Sequence, residues 1–317
     1  MRNICILGGS GFVGHSIAAR LAAERHNVTI LSRRRERCRD LLVLPTVQVV
    51  EGDIFNTAFL SRQFENMDAV INLVGILNEK GRRGKGFERA HVTLPAKIVE
   101  ACRQSGVERL LHMSALKAAV DAPSHYLRSK ARGENLLHDA AGDRLHVTSF
   151  RASVIFGPKD SFINRFANLL QLSPYIFPLA RPDARFQPVY VEDVAKAFAR
   201  SLGDRHTFGQ RYELCGPKVY TLYELVSYIR RQLGLGTRIY GLGNGLSRLQ
   251  ATVLGFMPGK PFSMDNYRSL QIDSVCDGDF PRIFGFKPTS LESAVPVYLG
   301  ARRSQRYSLY RALARRR

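Results

Sequence analysis

Short runs rich in β-branched residues alternate along this chain with longer stretches of helical character. "NICIL", "NVTILS", "VQVVEGD", "DAVINLVG", "RLLHMSA" and "HVTSFRASVIFG" read as strands. Segments between them, such as "FVGHSIAARLAAER" and "LPAKIVEACRQSG", repeat apolar residues at the spacing of one helical face. Strands alternating with helices imply parallel βαβ units, so the expected fold is α/β, a doubly wound parallel sheet. The rhythm loosens after about residue 155, where a turn-rich "LSPYIFPLARPDARFQP" and shorter helices near 193–202 and 221–233 follow. The expected organisation is a sheet domain over 1–155, a smaller C-terminal lobe over 156–301 that shares its core, and a tail over 302–317. No internal repeat or low-complexity linker interrupts the pattern.

Composition narrows the class without choosing a function. With 317 residues, 45% of them hydrophobic, the chain can fill a sizeable core. Lys and Arg number 47 against 27 Asp and Glu, a net charge of +20, which points to anionic partners such as phosphates, nucleic acid or anionic lipid. The five cysteines, Cys5, Cys38, Cys102, Cys215 and Cys276, form no CxxC pair and no metal-ligand grouping, so reduced thiols in the cytoplasm are expected. The first strand begins two residues after Met1, so no leader is expected, and no stretch has the length and apolarity of a membrane span.

The sharpest local signal is "LGGSGFVGHS". Gly8, Gly11 and Gly14 stand between the first strand and the first helix, with Phe12 and Val13 inside the turn. Such glycines allow a tight turn, bring backbone amides close to a pyrophosphate at a helix N-terminus, and let helix and strand pack closely. At the end of the second strand, an acid would bind the ribose 2′-hydroxyl of NAD. Here the residues are Ser32, Arg33, Arg34 and Arg35, whose guanidinium groups can pair with a 2′-phosphate, so NADP(H) is favoured over NAD(H). A solvated basic turn is the alternative reading. Asp53, beside Ile54, could accept from an adenine amino group or cap the following helix. Val74 and Gly75 end the fourth strand, where a small backbone would pass the nicotinamide ribose.

Chemistry is suggested by three residues beyond these. Ser114 ends the fifth strand, and Tyr126 and Lys130 follow at i, i+4, the spacing that places phenol and ammonium on one helical face. A nearby cation stabilises phenolate, which suits Tyr126 to acid–base work with Ser114 holding the substrate oxygen.

The glycine loop, Ser114, the Tyr126-xxx-Lys130 pair, "RASVIFGP" at 151–158 and "QPVYVEDVAKA" at 187–197 together resemble the short-chain dehydrogenase/reductase superfamily, in its extended or atypical NAD-dependent epimerase/dehydratase branch. The resemblance covers nearly the whole chain. "HYLRSKARGE", "FGPKDSFINRFA" and "QPVYVEDVAKA" further resemble the branch that contains the 39-kilodalton accessory subunit of respiratory complex I and its bacterial relatives. It implies a Rossmann fold, catalytic positions at Ser114, Tyr126 and Lys130, a bond from Lys130 to the nicotinamide ribose, and a 2′-phosphate contact from Arg33. Two departures stand out. His91, in "RAHVTLP", occupies the place of the family's usual Asn, and "MSALKAAV" lacks the polar groups of sugar-nucleotide dehydratases.

Three functions follow as expectations. One is an NADP(H)-dependent oxidoreductase acting on a hydrophobic, quinone- or lipid-related carbonyl or hydroxyl compound. The second is a non-catalytic, nucleotide-loaded accessory or assembly factor of a membrane respiratory complex, since the complex I subunit is thought to retain a tightly held NADPH. The third, a sugar-nucleotide epimerase or dehydratase, is disfavoured by the Ser32-Arg33 turn. The tail "ARRSQRYSLYRALARRR" mixes Arg with Tyr and Leu and could dock on an anionic membrane surface or a membrane complex through residues 302–317. The expected location is cytoplasmic, peripheral on the inner face of a membrane, and nucleic acid is not the expected partner. "LNEKGRRGKGFERAH" reads as a flexible, solvated basic loop ahead of one that steers an anionic substrate or touches phospholipid headgroups. "GLSRLQATVLGFMPGKPF" carries an apolar stripe that fits lobe packing ahead of membrane contact.

Overall fold

The computed structural model describes residues 1–79, 81, 83–142, 144–173, 175–257 and 261–299, so the expected docking tail at 302–317 lies outside the described residues. Two compact units form. The first comprises 1–152, 191–214 and 281–286, and the second the remaining segments. A single boundary near 155 therefore captures only the first crossing.

In the first unit β1 (Asn3–Leu7), α1 (Phe12–Ala23), β2 (Asn27–Ser32), β3 (Val47–Glu51), α2 (Thr57–Phe64) and β4 (Ala69–Asn72) follow in order. A one-turn α3 (Lys85–Glu88) then runs through a π turn at Arg89–Thr93 into α4 (Leu94–Ser105). β5 (Arg109–Ala115), α5 (His125–Asp139) and β6 (His146–Ala152) complete the first pass. The second unit holds β7 (Ile155–Phe156), α6 (Ile163–Leu172), β8 (Ile176–Ala180), β9 (Arg185–Phe186) and β10 (Val189–Tyr190). α7 (Val191–Ser201) and β11 (Arg211–Leu214) belong to the first unit again. β12 (Tyr220–Thr221), α8 (Leu222–Leu233), β13 (Arg238–Leu242), α9 (Asn244–Phe256) and α10 (Met264–Ser269) belong to the second.

The central sheet is seven-stranded in the order β11-β6-β5-β4-β1-β2-β3, and every pairing in it is parallel. The sequence pattern missed β11, because four residues carry too little periodicity to register, and the helix expected near 193–202 is α7 of this unit rather than part of the smaller lobe. Cys5, Leu7, Val70, Leu110 and Val147 on the strands pack with Leu60 and Phe64 of α2, Ile98 and Cys102 of α4 and Leu137 of α5. α7 packs along α1, with its Phe198 ring 4.1 Å from Phe150 of β6. Strand order reverses between β1 and β4, and such a switch point is where doubly wound sheets bind ligands.

The second unit has a core cluster of its own, in which Phe156, Ile163, Leu170, Leu179, Leu225, Ile229 and Leu291 are buried together. α8 starts on a capping box between Thr221 and Glu224 and ends on left-handed Gly234. The reduced-thiol expectation fails here, since Cys215 and Cys276 form a disulfide. Gln187 brings the two cysteine segments together. Its backbone pairs with Gly216 and Ser274, while its side chain donates to Gly216 O and accepts from Cys276 N. Cys5, Cys38 and Cys102 are free and buried. Among the described residues no helix is long and apolar enough to cross a membrane.

Candidate cofactor and catalytic site

The loop after β1 is built for close approach. Gly8 has φ +83°, and a Cβ there would lie 3.0 Å from the Leu73 carbonyl carbon on the loop after β4. A Cβ at Gly14 would lie 2.5 Å from Gly8 O, so α1 can seat on the loop only with glycine at this position. Gly11 caps α1 without a side-chain hydrogen bond, and no acid stands in the first turn. The first-turn amides of Phe12 and Val13 thus face an incoming anion with the positive end of the helix behind them.

At the end of β2, Ser32 Oγ donates to Arg34 O at 3.0 Å and accepts from Arg34 N at 3.3 Å, a local turn that leaves Arg33 and Arg34 exposed. Asp53 is exposed and accepts from Phe55 N at 3.0 Å. It does not cap the next helix, because Asn56 does so by accepting from Phe59 N. Ile54 is buried in the sheet core, and the Arg89 guanidinium lies 4.2 Å from the centre of the Phe55 ring. Buried Asn72 at the end of β4 accepts from Val74 N at 3.2 Å and sets the turn that presents Val74 and Gly75. A Cβ on Gly75 would come within 3.3 Å of Lys130 Nζ, so this backbone passes directly beside the amine.

Helix α5 supplies the chemistry. Ser124 caps it by accepting from Leu127 N. Tyr126, Lys130, Glu134 and His138 then recur every fourth residue and form one polar stripe. Burial pushes the Tyr126 phenol up to about 12, and its ring packs edge-on against Phe87 and His91. Lys130 is buried and donates from Nζ to Met113 O at 2.9 Å; burial lowers its amine to about 8, with Glu134 pulling in the opposite direction. His138 meets Ser149 Oγ at 3.0 Å, and burial followed by the Arg211 and Arg151 charges brings it down to about 4.

Glu134 is fully buried and saturated with donors. It accepts from Ser114 Oγ at 2.5 Å and from Arg151 Nε at 2.9 and 3.1 Å, and it forms an ion pair with Arg211, whose Nε lies 3.0 Å away. Strand register explains the cluster. Ser114 is paired with Arg151, and Arg211 with Ser149 two residues before it, so all three side chains leave the same sheet face. The Ser114 hydroxyl is committed to Glu134.

His91 sits in the π turn, a backbone irregularity that recurs at functional sites. Ile76 N can only donate, so His91 Nε2 accepts from it at 3.1 Å. The imidazole proton therefore stands on Nδ1, 2.8 Å from Ser129 Oγ. Burial and the Lys130 charge lower His91 to about 2 and keep it neutral. A Cβ on Gly133 would fall 1.7 Å from His91 O, so α5 reaches the π turn only through this glycine.

The glycine loop, the uncapped α1, the arginines after β2 and the Gly75 approach to Lys130 fit a dinucleotide. Phe12 and Val13 would take its pyrophosphate, Arg33 and Arg34 its adenosine ribose end, and Lys130 the nicotinamide ribose. Sequence reasoning placed Tyr126, Lys130 and His91 but missed Glu134, Arg151, Arg211 and Asn72. Glu134 had a readable signal, for "YLRSKARGE" continues the four-residue spacing by one more turn. Among the described residues no group of His, Cys, Asp and Glu could hold a metal ion.

A model of the NAD dependent epimerase/dehydratase family matches residues 4–215. The chain is 30% identical over 303 residues to NADH dehydrogenase (ubiquinone) 1 alpha subcomplex subunit 9 of Mus musculus mitochondria, covering 90% of this chain and 77% of that protein. It is also 30% identical over 204 residues to the ceramide reductase of Caulobacter vibrioides, covering 62% and 61%. Among solved structures, UDP-glucose 4-epimerase of Thermotoga maritima superposes with a TM-score of 0.74 over 96% of this chain and 99% of that one. At 16% identity that likeness is one of fold.

Proposed function

The chain belongs to the NAD dependent epimerase/dehydratase family as an NAD(P)-binding protein of short-chain dehydrogenase type, and from that premise we propose that it is an NADP(H)-dependent oxidoreductase that reduces a hydrophobic carbonyl compound of the lipid or quinone kind. The observation that carries this reading is the α5 stripe, where a Tyr126 phenol with a pKa of about 12 stands one turn ahead of a buried Lys130. When bound, the cofactor supplies the hydride. A phenol that stays protonated at neutral pH is an acid, so Tyr126 gives its proton to the substrate oxygen as negative charge develops there. The Lys130 cation, charged below about pH 8, stabilises the phenolate left behind. Neutral His91 fixes the π turn without adding a second positive charge. Arg33 supplies the preference for a 2′-phosphate. The similarity to a protein named ceramide reductase supports a lipid-like substrate.

The test is NADPH consumption against long-chain ketones and quinones in detergent, run beside a fluorescence titration of NADPH. Tyr126→Phe is expected to lose consumption and keep cofactor affinity, and equal loss of both would contradict the proposal. A second reading, a nucleotide-loaded accessory protein of a membrane respiratory complex, draws on the commitment of Ser114 to Glu134 and on the mitochondrial relatives. Residues 302–317 would then serve docking, and their deletion would release the protein from membranes.

A further inference from the structure

Helix α9 is amphipathic in reverse. Its buried positions are the small Ser247 and Ala251. Ser247 Oγ accepts from Arg181 N and donates to Leu242 O, while Gln250 donates to Pro178 O, so the small and polar side is the one fixed to β8 and β13. The large apolar residues point to solvent, with Leu246 58% exposed, Leu249 58%, Val253 56% and Phe256 69%. At helical spacing these four fall within an arc of roughly 80°. Tyr240 on β13, and Tyr175 and Ile176 at the start of β8, are exposed as well. Among the described residues the lobe packing expected for this stripe leaves Leu246, Leu249 and Val253 exposed, and a contiguous exposed apolar face marks a site of interaction.

Charge identifies the occupant. No Asp or Glu occurs between Glu224 and Asp265, a stretch that carries Arg230, Arg231, Arg238, Arg248 and Lys260. None occurs between Asp160 and Asp183 either, where Arg165 and Arg181 lie. Arg231, Arg238 and Arg248 are exposed. A second copy would bring another +20 chain against the same basic surroundings. Lipid phosphates supply the opposite charge together with an apolar layer behind them. With 13 residues α9 is too short to cross a bilayer but suited to lie in its interface. We propose that α9 docks on an anionic phospholipid surface, with Leu246, Leu249, Val253 and Phe256 entering the headgroup–acyl boundary and the surrounding arginines pairing with lipid phosphates.

The chain contains no Trp, so full-length Phe256→Trp carries a unique reporter. Its emission is expected to shift to the blue with phosphatidylglycerol-containing vesicles and to stay unchanged with phosphatidylcholine alone. A Leu249→Ser/Val253→Ser/Phe256→Ser variant should sediment with the anionic vesicles at least about tenfold less than the parent. Leu249→Ser alone, which alters only exposed surface, should show a smaller loss at an unchanged melting temperature. Three results would overturn the proposal: an unshifted Trp, stripe variants that bind vesicles like the parent, or substitutions that convert a dimer into a monomer without changing vesicle binding.

Discussion

Helices α5 and α9 break the usual amphipathic rule in opposite directions. In α5 a stripe that includes a lysine and a glutamate is turned inward, and both are buried. In α9 a stripe of Leu, Val and Phe is turned outward, while Ser and Ala take the inside. Burying Lys130 and Glu134 costs free energy that partners must offset, and Met113 O, Ser114, Arg151 and Arg211 do so. The α9 stripe instead leaves Leu246, Leu249 and Val253 more than half exposed. The inward helix has partners for its buried charges, as the proposed acid–base role requires, whereas the outward one carries the apolar face that the proposed docking uses.

Substitutions can break or sharpen that contrast. Tyr126→Phe leaves the α5 packing intact but removes its acid, and a loss of about 10²–10⁴-fold in turnover is expected by NADPH consumption. Glu134→Ala would strand Arg151, Arg211 and the Ser114 hydroxyl, and should cost about 3–5 kcal/mol in urea or thermal unfolding. If it cost no more than an exposed substitution, the inward stripe would not be the interlocked unit described here. Arg33→Ala should weaken NADPH binding by roughly ten- to a hundredfold and leave NADH binding unchanged, as measured by fluorescence titration. In α9, Leu249→Ser should change stability by less than about 0.5 kcal/mol.

Charge on Lys130 gives the contrast a pH signature. Its folded value of about 8 lies below the unfolded value of 10.5, so the unfolded chain holds the extra proton between them. Stability therefore rises as pH increases across that window and falls as the buried amine must be charged near pH 8. Activity runs the other way, because the phenolate-stabilising cation is lost above pH 8. Glu134 raises the Lys130 value, so Glu134→Gln should move the alkaline limb of the rate profile to lower pH.

Much of the first unit was legible in the sequence. Period-two runs with βαβ spacing gave six of the strands in the central sheet, and the glycine loop and Tyr126-xxx-Lys130 pair lie where their local spacing put them. What local pattern could not carry was long-range pairing. The β5–β6–β11 register that gathers Ser114, Arg151 and Arg211 on Glu134 joins segments far apart in sequence. The Cys215–Cys276 bridge likewise depends on how Gln187 joins the two segments that carry the cysteines. The α9 stripe was visible as periodicity, but periodicity fixes which residues share a face and not which way that face turns.

The most direct test is the release of NADPH from the full-length protein, followed by its fluorescence while it is chased with excess NADP+ and, separately, with NADH. For a working NADP(H) reductase, NADPH should leave within seconds into the NADP+ chase, and NADH should displace it poorly. Release over hours would contradict that function and favour a permanently loaded accessory protein, and equal displacement by NADH would contradict the NADP(H) preference.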